Sequence, residues 1–344
     1  MPLGKVMSDH VTAKDFWYNS TVAVIGGGSW GTVLAHLVSS NCRAVRFWLR
    51  DEEQVRQFNS TRVQGRYIPG FQLNQKVIAT SSLASAFEGG VQAVIWCLPS
   101  AVCRSLAKEV APFLRGDELI LHATKGIESE SLKRISEILV EELYIRRVGV
   151  ISGPNLAHEI ALGQPAATVI ASRFTEVCEA GALLLRGPQF RIFAEKDIVG
   201  VEWAGTLKNI LAIAAGALDG LKLGANSKAM LLTLGLSEMM RFGTALGAQV
   251  NTFLGLAGMG DLLATCGSAM SRNYRVGLRL AEGEALPAIL ESLGSTAEGV
   301  ITTQTVWKFA SSRGIPMPIT EGVYRLTHEG VLARDILNEL MKRE

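Results

Sequence analysis

Apolar positions along this chain change their period near residue 200. Before that point, short apolar runs alternate with segments in which an apolar residue recurs every three or four positions. The short runs are Thr21–Ile25, Ala44–Leu49, Val77–Thr80, Ala93–Leu98, Leu119–Ala123, Val148–Ser152 and Ala167–Ala171. They have the length of buried strands. Helical spacing falls between them from near Ser29, in a charged stretch from Glu52, and at Val102–Phe113, Leu132–Leu143 and Thr175–Leu185. Such alternation predicts an α/β fold with a parallel sheet covered on both faces. Beyond about Gly200 the strand-like runs stop. Stretches rich in Ala, Leu, Met and Gly predict packed helices there, the first over Val201–Leu218.

Composition narrows the picture. A chain of 344 residues is long for one core and suggests two domains. With 34 basic and 32 acidic residues, no overall field points to nucleic acid or to an anionic membrane. The five cysteines (Cys42, Cys97, Cys103, Cys178, Cys266) form no C-x-x-C pair and mostly sit in apolar runs. They read as reduced core thiols of a cytoplasmic protein. The histidines show no metal-ligand spacing, so no metal site is expected. No apolar run approaches the ~20 residues that span a bilayer. Residues 1–20 are polar, lack a signal-like core and read as a flexible N-terminal extension.

Candidate chemistry begins at 21-TVAVIGGGSWGT-32. Gly26, Gly28 and Gly31 fit G-x-G-x-x-G between a strand and a helix. The spacing supplies a tight turn, a bare approach to a pyrophosphate and close helix–strand contact, with the helix N-terminus facing the anion. In parallel sheets ligands bind beyond the carboxyl ends of the strands. There the chain reads 97-CLPS-100, 124-TKG-126 and 152-SGPN-155. Lys125 is either a loop lysine on the surface or a cation of the site. Gly153 and Asn155 offer polar groups to a substrate or cap the next helix. Lys208 falls at helical spacing with Ala204, Leu211 and Ala215. It either snorkels to water or is held desolvated beside a ligand, where its pKa would fall. Asp261 follows Gly258 and Gly260, as a plain helix N-cap would. Ser271, Arg272 and Asn273 open a helix, or form a phosphate fork at its start.

These motifs, with 296-TAEG-299 and 316-PMPIT-320, occur in one order that resembles NAD(P)-dependent glycerol-3-phosphate dehydrogenases of the soluble bacterial type. The resemblance spans roughly Thr21 to Leu340. It implies a Rossmann dinucleotide-binding domain over residues 21–198 and an all-helical substrate-binding domain over 199–344. It also implies NAD or NADP as cofactor, and dihydroxyacetone phosphate and sn-glycerol 3-phosphate as substrates for phospholipid synthesis. A homodimer is implied as well. On this resemblance Lys208 is the proton-transferring lysine, Lys125 a second active-site lysine, and Asp261, Asn209 and Thr265 relay or substrate contacts. Gly153 and Asn155 match the substrate loop, and Ser271, Arg272 and Asn273 the phosphate site. Ser29, Trp30, Arg50, Ala157 and Glu298 match cofactor positions, as do Lys125 and Arg272. Asn155, Ala297 and Leu49 depart from the residues usual at their places, and none of these changes removes a catalytic group.

Two alternatives belong to other classes. A sister dehydrogenase acting on another 2-ketone would not need the Ser-Arg-Asn cluster. A non-catalytic nucleotide sensor would need neither lysine nor Asp261. Cofactor choice turns on the end of the second strand, where Asp51 stands 20 residues after Gly31 and Arg50 precedes it. Strand alternation turns two neighbours to opposite sides. We expect Arg50 to face the ribose and Asp51 to face away, which favours NADPH at least as well as NADH.

Overall fold

The computed structural model describes residues 12–293 and 297–342. Residues 1–11 of the expected extension, Thr296 of the TAEG loop and residues 343–344 lie outside them. Eight strands form one sheet: β1 (Thr21–Ile25), β2 (Ala44–Trp48), β3 (Val77–Thr80), β4 (Ala93–Trp96), β5 (Leu119–His122), β6 (Val148–Ser152), β7 (Ala166–Ala171) and β8 (Phe190–Glu195). Their spatial order is β3-β2-β1-β4-β5-β6-β7-β8. The first six run parallel in the 3-2-1-4-5-6 order of a dinucleotide-binding sheet.

The helices of this half are α1 (Ala13–Tyr18), α2 (Ser29–Ser39), α3 (Glu52–Thr61), α4 (Leu83–Phe87), α5 (Cys103–Val110), α6 (Ile135–Leu143), α7 (Ala157–Ala161) and α8 (Thr175–Leu185). Alternation within β1 serves two cores. Val22 and Val24 pack with residues of α2 and α8, and Ala23 and Ile25 with those of α5 and α6. Three expectations need correction. The sheet is not wholly parallel, since β7 runs antiparallel to β6. The connecting α7 has five residues and rises only about 7.5 Å, too little to return the chain across the sheet. Within the expected loose extension, Thr12 caps α1 and Trp17 is buried. The helix expected from Leu132 starts at Ile135, because Leu132 is left-handed and Arg134 bridges back to Ile127.

The other half is helical throughout its described residues: α9 (Ile198–Gly220), α10 (Ala225–Ala245), α11 (Val250–Leu254), α12 (Asp261–Cys266), α13 (Arg272–Ala281), α14 (Leu286–Leu293), α15 (Glu298–Ser312), α16 (Pro318–Tyr324) and α17 (Ala333–Leu340). The start of α9 packs on the sheet, where Ile198 and Val201 meet Val150 and Ala171. Its remainder is the axis of the helical core. By length and hydropathy α9 could cross a membrane, against the sequence expectation, yet it is almost wholly buried inside the protein. α13 lies with its backbone directly on α9. A Cβ at Gly216 would stand 1.9 Å from the Tyr274 oxygen, and one at Gly277 1.8 Å from the Ile213 oxygen. Only glycine permits that approach.

Candidate active site

At the end of β1 the chain squeezes between two strands that lead to opposite halves of the sheet. Gly26 has φ +114°, and a Cβ there would meet the Cys97 oxygen at 2.3 Å. A Cβ at Gly31 would meet the Gly26 oxygen at 2.0 Å, so α2 starts against the turn itself. At Gly28, in contrast, nothing lies within 4 Å. Gly28 caps α2 without any side-chain bond. The first helical bond there runs from Thr32 N–H to the Gly28 oxygen at 2.9 Å. The N–H groups of Ser29, Trp30 and Gly31 precede that first bond and so have no intrahelical partner, at the positive end of a helix. That cradle fits a pyrophosphate.

The surrounding cofactor candidates are placed as follows. Ser29 Oγ donates to the Tyr67 oxygen at 3.4 Å. Trp30 packs edge-on against Phe190, with its indole nitrogen buried and unpartnered. Ala157 opens α7, which packs beside α2. Leu49 packs under Gly27, where a Cβ would stand 2.1 Å from Leu49 Cδ2. Because β2 ends at Trp48, the alternation argument for Arg50 and Asp51 does not apply. A different cause separates them. Asp51 caps α3 by accepting from Glu53 N–H at 2.8 Å and Gln54 N–H at 3.1 Å. Arg50 is exposed.

Beyond β5 and β6 the chemistry converges on one carboxylate. Asp261 is the first residue of α12 rather than its cap, and a π-helical turn at Leu256–Gly260 leads into it. Lys208 Nζ donates to Asp261 Oδ1 at 2.5 Å and to Thr265 Oγ1 at 2.6 Å. Thr265 donates in turn to Asp261 Oδ1 at 3.1 Å. From the sheet side, Lys125 Nζ donates to Asp261 Oδ2 at 2.6 Å and to the Gly153 oxygen at 3.4 Å. Lys208 is 4% exposed, so it does not snorkel. Burial pushes its ammonium down to about 7, with Lys125 adding to the fall and Asp261 opposing it. Burial works against the Asp261 carboxylate, yet the two lysines together hold its pKa below the ordinary range. Two amines and one carboxylate thus share a largely buried site.

The remaining candidates surround this centre. Gly153 has φ +153° at the end of β6. Asn155 does not cap α7, whose N-cap is Leu156. Its Nδ2 donates to Thr168 Oγ1 at 2.7 Å, and its Oδ1 is buried without a partner. Asn209 is buried, and Gly299 fits between its backbone oxygen and Asn273. Ser271 does cap α13, accepting from Tyr274 N–H, and Asn273 Oδ1 accepts from Gly299 N–H at 3.1 Å. Arg272 opens α13 and is exposed, with its charge felt at Glu298. Glu298 accepts from Ser100 N–H at 2.9 Å across the cleft, and burial raises its carboxyl to about 7. Ser100 was not among the expected residues. Neither was Glu202, an acid inside the apolar α9, which was the signal to read.

Known proteins resemble this chain over nearly its whole length. Residues 21–178 match the family described as NAD-dependent glycerol-3-phosphate dehydrogenase N-terminus, and residues 197–338 match its C-terminus. The chain is 41% identical over 325 residues to glycerol-3-phosphate dehydrogenase (NAD(P)+) of Nitratidesulfovibrio vulgaris, covering 94% of this chain and 98% of that one. It is 41% identical over 328 residues to the enzyme of the same name from Leuconostoc mesenteroides, covering 94% and 97%. Among solved structures, glycerol-3-phosphate dehydrogenase from Coxiella burnetii is similar at 34% identity with a TM-score of 0.89, over 95% of this chain and 100% of that one. Both halves match in order and the relatives align over nearly their full lengths, so the chain belongs to the NAD-dependent glycerol-3-phosphate dehydrogenase family.

Proposed function

We propose that the protein reversibly interconverts dihydroxyacetone phosphate and sn-glycerol 3-phosphate with NAD(P), and that Lys208 moves the proton. The observation that carries the role of Lys208 is the Asp261 carboxylate, buried and shared by two lysines beyond the ends of β5 and β6. The dinucleotide, when bound, supplies the hydride to C2 of the ketone or accepts it from the alcohol. In reduction negative charge grows on the C2 oxygen, and the Lys208 ammonium stabilises it and delivers the proton. Asp261 and Thr265 hold Nζ in one place during that transfer. A Lys208 pKa near 7 leaves acid and base forms both available at neutral pH, so one amine serves both directions. Lys125 adds a second cation beside the same oxygen.

Arg272, the Ser271 hydroxyl and the start of α13 suit the substrate phosphate. The unpartnered Oδ1 of Asn155 suits a substrate hydroxyl, near Gly153 and Asn209. Gly26, Gly28 and Gly31, with the N–H groups of Ser29 and Trp30, would hold the pyrophosphate. Arg50, Ala157 and Glu298 would contact other parts of the dinucleotide. With Asp51 engaged as a cap and Arg50 open to a 2′-phosphate, we infer that NADPH serves at least as well as NADH. The same reading divides the chain at residues 198 and 199 and places it in the cytoplasm as a homodimer supplying glycerophospholipid synthesis. Sedimentation velocity tests the dimer.

The direct test follows NADH and NADPH oxidation with dihydroxyacetone phosphate, unphosphorylated dihydroxyacetone and 2-ketoacids. Fast turnover is expected with the phosphorylated ketone alone. Comparable rates with a 2-ketoacid would turn the reading to a sister dehydrogenase. Cofactor binding without any turnover would turn it to a sensor.

A further inference from the structure

A second buried charge cluster lies beneath the active site and touches no reacting group. Its centre is Glu202 on α9, six residues before Lys208 and 5% exposed. Oε2 accepts from Arg134 Nη1 at 2.6 Å and from Ser136 Oγ at 2.6 Å. Oε1 accepts from Ser136 N–H at 2.8 Å, and His122 Nε2 lies 3.1 Å from it, off hydrogen-bond alignment. Burial raises this carboxyl, but His122, Arg134 and Ser136 outweigh it and hold the pKa at about 2. The cluster therefore favours the carboxylate form of Glu202.

The partners of Glu202 have a common property. His122 ends β5, three residues before Lys125. Arg134 closes the loop after Lys125 through its bridge to Ile127. Glu202 thus binds the far flank of the Lys125 segment and lies against the near one, from the same helix that carries Lys208. Lys125 and Lys208 then meet again on Asp261, which closes a ring of contacts. A buried ionic network is a poor means of stabilising a fold compared with apolar packing of the same shape. It is a good means of fixing one segment in one register.

We propose that Glu202 is a positioning residue: by holding the Arg134–Ser136 segment to α9 beside His122, it sets where the Lys125 ammonium stands relative to Asp261 and Lys208. This rests on the reading of that cluster as the proton-transfer centre. Glu202→Gln keeps the shape but removes the charge that holds Arg134 and turns one of the two acceptor oxygens into an NH2 donor. It is to be compared with the milder Ser136→Ala, which removes one hydroxyl bond to Oε2 and leaves the charge in place. Lys208 faces Asp261, Lys125 and Thr265, with the Cys266 thiol nearby. Of these, Lys125 is the neighbour whose displacement would let the Lys208 ammonium persist to higher pH. The expected result for Glu202→Gln is a kcat on the order of tenfold lower, with NADPH affinity measured by fluorescence titration unchanged. The limb of the kcat/KM–pH profile for ketone reduction should also move upward by about half a unit or more. Ser136→Ala should move it less, in the same direction, and in a Lys125→Met background neither change should move it further. A variant that melts earlier yet keeps wild-type kcat and pH limb would overturn the proposal. Failure of the parent reading looks different, since Lys208→Met would then stay active.

Discussion

The glycine turn and the lysine–aspartate cluster solve opposite problems. The turn lies within residues 26–31 and works through backbone N–H groups, so what matters is the absence of side chains. The cluster gathers Lys125, Lys208, Asp261 and Thr265 from both halves of the chain, and each acts through its side-chain tip. One site should tolerate lost chemistry but no added bulk. The other depends on charged tips held in place and should tolerate no lost proton.

The sharpest contrast comes from Lys208→Met, which keeps bulk and removes the ammonium. Turnover is expected to fall at least ~10²-fold, with dinucleotide affinity nearly unchanged. Retention of more than about a tenth of turnover would show that another group is the acid. The wild-type enzyme adds a signed test. Reduction needs the ammonium, so its kcat/KM should fall as pH rises through about 7, while oxidation should rise over the same interval.

Arg272→Met comes next. A loss of about 2–3 kcal/mol in kcat/KM is expected for dihydroxyacetone phosphate, mostly in KM. The weak activity on unphosphorylated dihydroxyacetone should hardly change, and equal losses on both would assign Arg272 to fold or cofactor.

Two alanine changes then separate the glycines of the turn. Gly31→Ala forces backbone apart and should cost about 1–3 kcal/mol of stability in denaturant unfolding. Gly28→Ala meets open space, so stability should hold while dinucleotide binding weakens; a stability loss at Gly28 would break the contrast. The smallest effect is expected at Arg50→Ala, a several-fold loss in kcat/KM with NADPH and little with NADH. A strong wild-type preference for NADH, unmoved by the substitution, would place the choice elsewhere.

What could be read from the chain follows the same division. The turn and β1 to β7 were legible because period and glycine spacing are local properties. β8 was missed since it is an edge strand, and Arg191 and Glu195 break its apolar run. α1 was missed although Thr12 and Asp15 form a capping box that could have been read. Motif order named Lys208 and Asp261, but local reading favoured a snorkelling lysine and a helix cap. Only the packing of α12 against α9 decides otherwise. Glu202 escaped because its partners, His122, Arg134 and Ser136, stand 80, 68 and 66 residues away along the chain.

The glycine contact between α9 and α13 bears on which molecules can react at all. Gly277 rests on the backbone of Ile213. Arg272 stands five residues before the one and Lys208 five before the other, on two helices whose backbones touch. On the proposed roles, the gap between the group that suits phosphate and the group that suits the ketone oxygen would be set in part by the scaffold. A phosphorylated ketone with a longer spacer would bring its carbonyl past the ammonium. On the proposed roles of Arg272 and Lys208, chain-length discrimination would be set by how closely two helices touch.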